Sequence, residues 1–206
     1  MTINIMDSDP ISISCPSIVC ENQDAQYSVA DDLCWGYDWD VIGGSFVGNN
    51  SATNSVIIRW DNIDPSGFGY ILVYDNHCES TCPGIPTIIK VPVIPENGTI
   101  TGDQIICPFS EELYRLPQWP ATEFNWSLSS GNAQLFTTDQ PNENVVYPFG
   151  PGNITLVCNY KNVLTGCAGI ATKNIEVFPQ EEILGPTEIC VDDNPDFYLT
   201  NGGIGD

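Results

Sequence analysis

The stretch Tyr37-Asp38-Trp39-Asp40-Val41 alternates apolar and acidic residues with a period of two, and that alternation decides the fold. Successive side chains of a strand point to opposite faces, so one face of this segment is buried and the other solvated. The pattern returns 87 residues later as Phe124-Asn125-Trp126-Ser127-Leu128. Working outward, Cys20, Tyr27 and Trp60 recur as Cys107, Tyr114 and Tyr147 at the same spacing, and Cys82-Pro83-Gly84 recurs as Cys167-Ala168-Gly169 after 85 residues. Near the end Ile183, Gly185 and Cys190 mirror Ile100, Gly102 and Cys107, with Phe197 seven residues beyond the cysteine. A fixed period of this size marks a string of small units. The division expected is the end of a preceding segment over 1–9, a first unit over 10–95, a second over 96–181 and the truncated start of a third over 182–206, the whole being a window on a longer array.

Short β-rich runs fill each unit, at 56–58, 70–74, 88–93, 145–147, 154–158 and 175–178, separated by Gly, Asn, Asp and Pro. That spacing is the one strands of a β-sandwich show. The single helix-compatible stretch, 110–115, is short and runs up against Pro117. Proline-bearing linkers at 92–98 and 178–182 are short and stiff, which predicts units arranged end to end as a rod.

Trp39 and Trp126 are expected in equivalent buried positions, because a tryptophan on a central strand anchors the core of immunoglobulin-like sandwiches. The order of residues adds to this. Ile-x-Gly, then Cys, Tyr seven later, aromatic-x-Trp, an apolar strand ending in Trp or Tyr, Cys-x-Gly and a Val-rich strand resembles the PKD-like immunoglobulin-fold repeats of Bacteroidetes. Those repeats occur in large secreted and surface proteins, including gliding-motility adhesins and other cargo of the type IX secretion system. The resemblance covers residues 10–206 and implies an all-β chain of tandem PKD-like antiparallel sandwiches; the first unit departs from it by carrying extra cysteines.

Nine cysteines beside a single histidine favour disulfides and an oxidising compartment over metal clusters. Repeat equivalence predicts Cys20–Cys82 and Cys107–Cys167, each bridge closing a loop of about 60 residues and stabilising by roughly 4 kcal/mol. The first unit adds Cys34 and Cys78, in loops expected at one end of the sandwich, and so a further bridge between them. Cys158 takes the place of Val73 inside an apolar strand and reads as a buried free thiol. Cys15 has no counterpart and leaves a pairing with Cys20 or Cys34 open. His77, Cys78 and Cys82 lack the second ligand pair that zinc requires.

Twenty-seven acidic residues against five basic ones give a net charge of −22, which repels nucleic acid and anionic membranes. No run of 18 apolar residues suits insertion into a membrane, and the opening Met1-Thr2-Ile3-Asn4-Ile5-Met6 has no charged leader region, so a secretory signal is expected upstream in a parent protein. Structural calcium is the one cofactor considered, at Asp7, Asp9, Asp31, Asp32, Asp192, Asp193 and Asp196, although no run matches an EF-hand loop. With one histidine there is no Ser-His-Asp arrangement, and no phosphate loop occurs. The reading is therefore non-catalytic: spacer repeats of a long extracellular or cell-surface adhesin, with neighbouring repeats as partners. The alternative is a glycan- or protein-binding module that stacks ligand on Tyr37, Trp35 or Trp119. Trp35 and Trp119 discriminate, since both precede the tryptophan strands: exposure at one end favours sugar stacking, and inward packing favours the spacer. An accessory domain of a secreted enzyme is a third reading.

Overall fold

A computed structural model describes residues 11–29, 35–75 and 86–179, together with the backbone pairing of two short strands beyond them. Every regular element among the described residues is a β-strand. The first unit holds β1 (Ile13–Ser14), β2 (Val19–Cys20), β3 (Asp24–Val29), β4 (Asp38–Ile42), β5 (Ser45–Phe46), β6 (Ser55–Arg59), β7 (Phe68–Tyr74) and β8 (Thr87–Ile94). They form two four-stranded sheets ordered β1-β3-β6-β5 and β2-β8-β7-β4. The second unit holds β9 (Asn97–Gly98), β10 (Ile105–Ile106), β11 (Glu112–Arg115), β12 (Thr122–Ser130), β13 (Ala133–Thr137), β14 (Glu143–Pro148), β15 (Gly152–Asn162) and β16 (Ala168–Val177). Its sheets run β11-β14-β13 and β10-β16-β15-β12, with β9 added to β16. All pairings are antiparallel except β2 with β8 and β9 and β10 with β16. This is the strand arrangement of an immunoglobulin-like sandwich, with the edge strand divided between the sheets.

The repeat is kept in the strand register, with one correction: the Phe109 amide bonds the Pro148 carbonyl as the Asn22 amide bonds the Trp60 carbonyl, and Tyr114 lies opposite Asn144 as Tyr27 lies opposite Val56, so the counterpart of Trp60 is Pro148 and not Tyr147. Trp39 lies opposite Val73 and Trp126 opposite Cys158. The strand pair that opens each unit recurs three times: Ser14 with Ser28, Thr101 with Arg115, and Leu184 with Tyr198, the last joining β17 (Ile183–Leu184) to β18 (Tyr198–Leu199). The stretch considered for a helix is instead β11.

Alternation along the strands fills the two cores. In the first, Tyr27, Trp39, Ile58, Trp60, Ile71, Val73 and Val93 are buried, and the Trp60 indole donates to the Tyr27 hydroxyl at 3.0 Å. Trp39 is buried as expected and donates from Nε1 to the Thr53 carbonyl at 2.9 Å. Trp126 makes the matching bond to Pro141 at 3.1 Å but is only half-buried, which corrects the expectation of equal burial. In the first unit residues 47–54 fold back along β4, with Tyr37 bridged to Thr53 and Asn50 donating to the Trp39 carbonyl. In the second unit the chain forms β13 and pairs with β14, and among the described residues no strand pairs with the outer edge of β12.

Both arginines tie strands within a unit. Arg59 and Asp24 face each other across β3 and β6 in a forked pair at 2.7 and 2.9 Å, and Arg115 meets Glu143 across β11 and β14 at 2.9 Å.

Candidate functional site at the joint between the units

The base of the first unit carries the β2–β3 turn, the β6–β7 loop and the end of β8. The apex of the second unit carries the β11–β12 loop and the β15–β16 hairpin. These two surfaces meet. Ile18 and Ile94 of the first unit pack into the core of the second, beside Leu116, Trp119, Tyr160 and Cys167. The apolar cores are thus joined through the interface, and the apolar surface buried there is removed from water as in a domain interior.

Polar groups at the joint are paired as well. The Trp119 indole donates to the Gly67 carbonyl at 2.9 Å, and the Tyr160 hydroxyl donates to the Pro95 carbonyl at 2.9 Å. Trp119 also stacks on Phe124 and tilts against Tyr160, with ring centroids 6.1 and 5.1 Å away. The Ile170 amide donates to the Glu96 carbonyl, where β9 begins to pair with β16, and the Glu96 amide donates to the Glu21 carboxylate at 2.7 Å. Burial holds the Tyr160 phenol well above its ordinary range, so it remains a donor at any physiological pH. Two glycines make the approach possible. A Cβ on Gly67, whose φ is +72°, would strike the Trp119 indole, and one on Gly169 would run into the Pro95 carbonyl and the Tyr160 ring. The glycine of the C-x-G motif is therefore a contact point between units.

A disulfide between Cys20 and Cys167 closes the joint, with Cα atoms 5.6 Å apart and a sequence separation of 147. This overturns the expected Cys20–Cys82 and Cys107–Cys167 bridges. The physical reason is the parallel pairing of β10 with the far end of β16: Ile106 lies opposite Val177, so Cys107 sits at one end of β16 and Cys167 at the other. Ten strand residues separate those ends by about 33 Å, far beyond the roughly 7 Å that a disulfide can span. Cys107 and Cys15 are free and exposed, so no bridge of Cys15 to Cys20 forms. Cys34, Cys78 and Cys82 lie outside the described residues, as do His77 and all seven aspartates considered for calcium. Cys158 is buried and free, as expected, and burial pushes its thiol up to about 12.

Asn162 positions Cys167 and was missed by sequence reasoning. Fully buried at the end of β15, it donates to the Pro120 carbonyl at 2.7 Å and to the Thr122 hydroxyl at 3.0 Å. Its Oδ1 accepts from the Leu164 and Thr165 amides and the Thr165 hydroxyl, which shapes the hairpin, and that hydroxyl lies 2.8 Å from the Cys167 sulfur. The signal in the sequence is an asparagine two and three residues ahead of the amides it caps, an Asx-turn pattern.

The two candidate stacking residues divide. Trp35 is 83% exposed, whereas Trp119 is 3% exposed and occupied by the joint. Tyr37 is buried. An unexpected aromatic group lies at the surface of the second unit, where Tyr147 contacts Phe109, Phe136 and Phe149, with centroids 5.5 to 6.5 Å apart. Phe109 occupies the turn that Asn22 makes in the first unit, at the same left-handed φ of about 60°. No group of metal-ligating side chains occurs among the described residues, and no helix among them is long and apolar enough to cross a membrane.

No protein-family model matches the chain, and no curated protein matches it. Among solved structures it is similar to a Bacteroides ovatus surface glycan-binding protein of a mixed-linkage glucan utilization locus, solved with a heptasaccharide, at 12% identity and a TM-score of 0.32. That match covers 87% of this chain, which spans 47% of the other's length. A tandem pair of titin domains, A168–A169, is similar at 11% identity and a TM-score of 0.31, covering 82% of this chain and 97% of that one. The cadherin-like domains 1 to 4 of zebrafish RET match at 9% identity and a TM-score of 0.27, covering 85% and 53%. Scores of this size carry no argument, and the fold assignment rests on the strand order and register.

Proposed function

We propose that the chain is a non-catalytic spacer: stacked units of a long secreted or cell-surface protein that hold a distal region at a fixed distance. The observation that carries this reading is the joint, where buried apolar contact, two buried donors and a disulfide fix one unit on the next. A disulfide implies an oxidising compartment, and a net charge of −22 keeps neighbouring rods apart. The resemblance to PKD-like repeats supports placing the parent among Bacteroidetes surface proteins, with adhesion or gliding motility as the task and type IX secretion as the route. The unit boundaries proposed are 10–95 and 96–181, with a third unit opening at β17. Small-angle scattering of the oxidised chain should give an elongated particle, and hydrolase screens should be blank. A compact envelope, or turnover removed by one side-chain substitution, overturns the spacer.

Exposure of Trp35 favours a second reading, a sugar-stacking module at the apex of the first unit. Saturable binding to one glycan that is lost in Trp35→Ala would establish it. An unchanged glycan array on that substitution would remove it.

A further inference from the structure

The base of the second unit repeats key positions of the surface with which the first unit holds its neighbour, although Pro108 stands where Glu21 does, and no described residue covers it. Cys107 follows β10 as Cys20 follows β2, but it is free and exposed. Ile18 and Ile94 are 5% and 1% exposed because the second unit covers them, whereas their counterparts Ile105 and Phe178 are 51% and 50% exposed. Gly67 is closed off by the Trp119 indole. Its counterpart Gly152 stands six residues before Cys158, as Gly67 stands six before Val73, and nothing lies within 4 Å of a Cβ built there. Pro95, whose carbonyl accepts from Tyr160, has Pro179 as its counterpart, and that residue is exposed. A covered surface and an exposed one thus share a turn cysteine, two apolar side chains, a glycine of positive φ and a proline.

We infer that this base seats the unit that opens with the β17–β18 pair, and that Cys107 forms a disulfide with the cysteine of that unit's own C-x-G hairpin. The occupant follows from continuity. The chain leaves β16 through Phe178-Pro179 as it leaves β8 through Ile94-Pro95, and Leu184 pairs with Tyr198 in the register that Thr101 and Arg115 keep in the second unit. The rule for the whole array is that the turn cysteine of one unit bonds the hairpin cysteine of the next. Bond formation needs an oxidant of the disulfide class. The Cys107 thiolate attacks the carrier disulfide and releases one carrier thiol. The hairpin thiolate then displaces the second, so two electrons and two protons end on the reduced carrier.

The inference rests on the stacked-unit reading, and its test separates the two. The natural full-length chain is alkylated without reductant, digested and mapped for linked peptides. The expected result is one linked pair joining Cys107 to the C-x-G cysteine of the third unit, with labelling at Cys107 falling from stoichiometric to trace. Cys107→Ser should free that hairpin cysteine and leave Cys20–Cys167 intact. Phe178→Asp, which keeps the thiol and spoils only the seat, should lower the yield of the link. Stoichiometric labelling of Cys107, its pairing with Cys15 or Cys190, or a link between two chains each overturns the inference. An elongated envelope combined with a labelled Cys107 removes this bond and leaves the spacer standing. A compact envelope combined with the bond removes the spacer alone.

Discussion

Trp119 buries its indole against Phe124, Tyr160 and the backbone of Gly67, so truncating it removes contacts from two units at once. Trp119→Ala should destabilise by about 3–5 kcal/mol, the cost of deleting a buried aromatic. Trp35→Ala, at a site 83% exposed, should stay within about 0.5 kcal/mol; urea midpoints of the two variants give the comparison. Titration supplies a second expectation at this scale. Burial pushes Tyr27 and Cys158 up to about 12 and holds Tyr114 and Tyr160 above their ordinary range. All four are neutral in the fold and ionise more readily when the chain unfolds. Their contribution is therefore complete below about pH 9 and is lost as pH rises from there through 12. Urea midpoints should be flat between pH 7 and 8.5 and fall steadily above. Cys158→Val should delay the onset toward the tyrosine range, and an unchanged onset would contradict the assignment.

At the scale of elements, the joint is built by a turn, a hairpin and two strand ends that the sequence places far apart. On the loop-closure model the Cys20–Cys167 bridge constrains a loop long enough to contribute about 5 kcal/mol. Cys20→Ser and Cys167→Ser should lower stability by similar amounts, and the double substitution should cost no more than either alone. Mass mapping should find one new free thiol in each single variant. Asn162→Ala should destabilise the hairpin and raise the exchange of the Leu164 and Thr165 amides, since three bonds converge on its Oδ1. The strands themselves were legible, because the period of two around Trp39 and Trp126 states which side faces inward. The pairing of cysteines was not. Equivalence by sequence shows that Cys20 matches Cys107 and Cys82 matches Cys167, yet it does not reveal whether a match is completed within a unit or across a joint. The parallel pairing of β10 with the distal end of β16 decides that, and it leaves no mark on local periodicity. The place of Trp119 stayed open in the sequence for a related reason: whether an aromatic residue in an apical loop is free depends on the neighbour that covers it.

For the whole molecule, the end-to-end placement follows from the shared core of Ile18, Ile94 and the second unit, which leaves the pair little freedom to hinge. Reduction should widen the intramolecular distance distribution measured by scattering more than it changes circular dichroism, because each sandwich keeps its own strands. The position of the bridge has one more result, which is mechanical. Pulled at its ends, the oxidised chain carries load along β1 and β2 to Cys20, across the sulfur atoms to Cys167, and out through β16. The strands from β3 to β15 lie off that path, inside a covalent bypass. About 500 Å of contour length, from the 147-residue separation at roughly 3.4 Å per residue, is locked away. Single-molecule stretching should therefore show no long release until reductant is added, and afterwards a gain of about that size. A stalk so built would be inextensible wherever its surroundings are oxidising, its reach set by redox chemistry rather than by the strength of its folds.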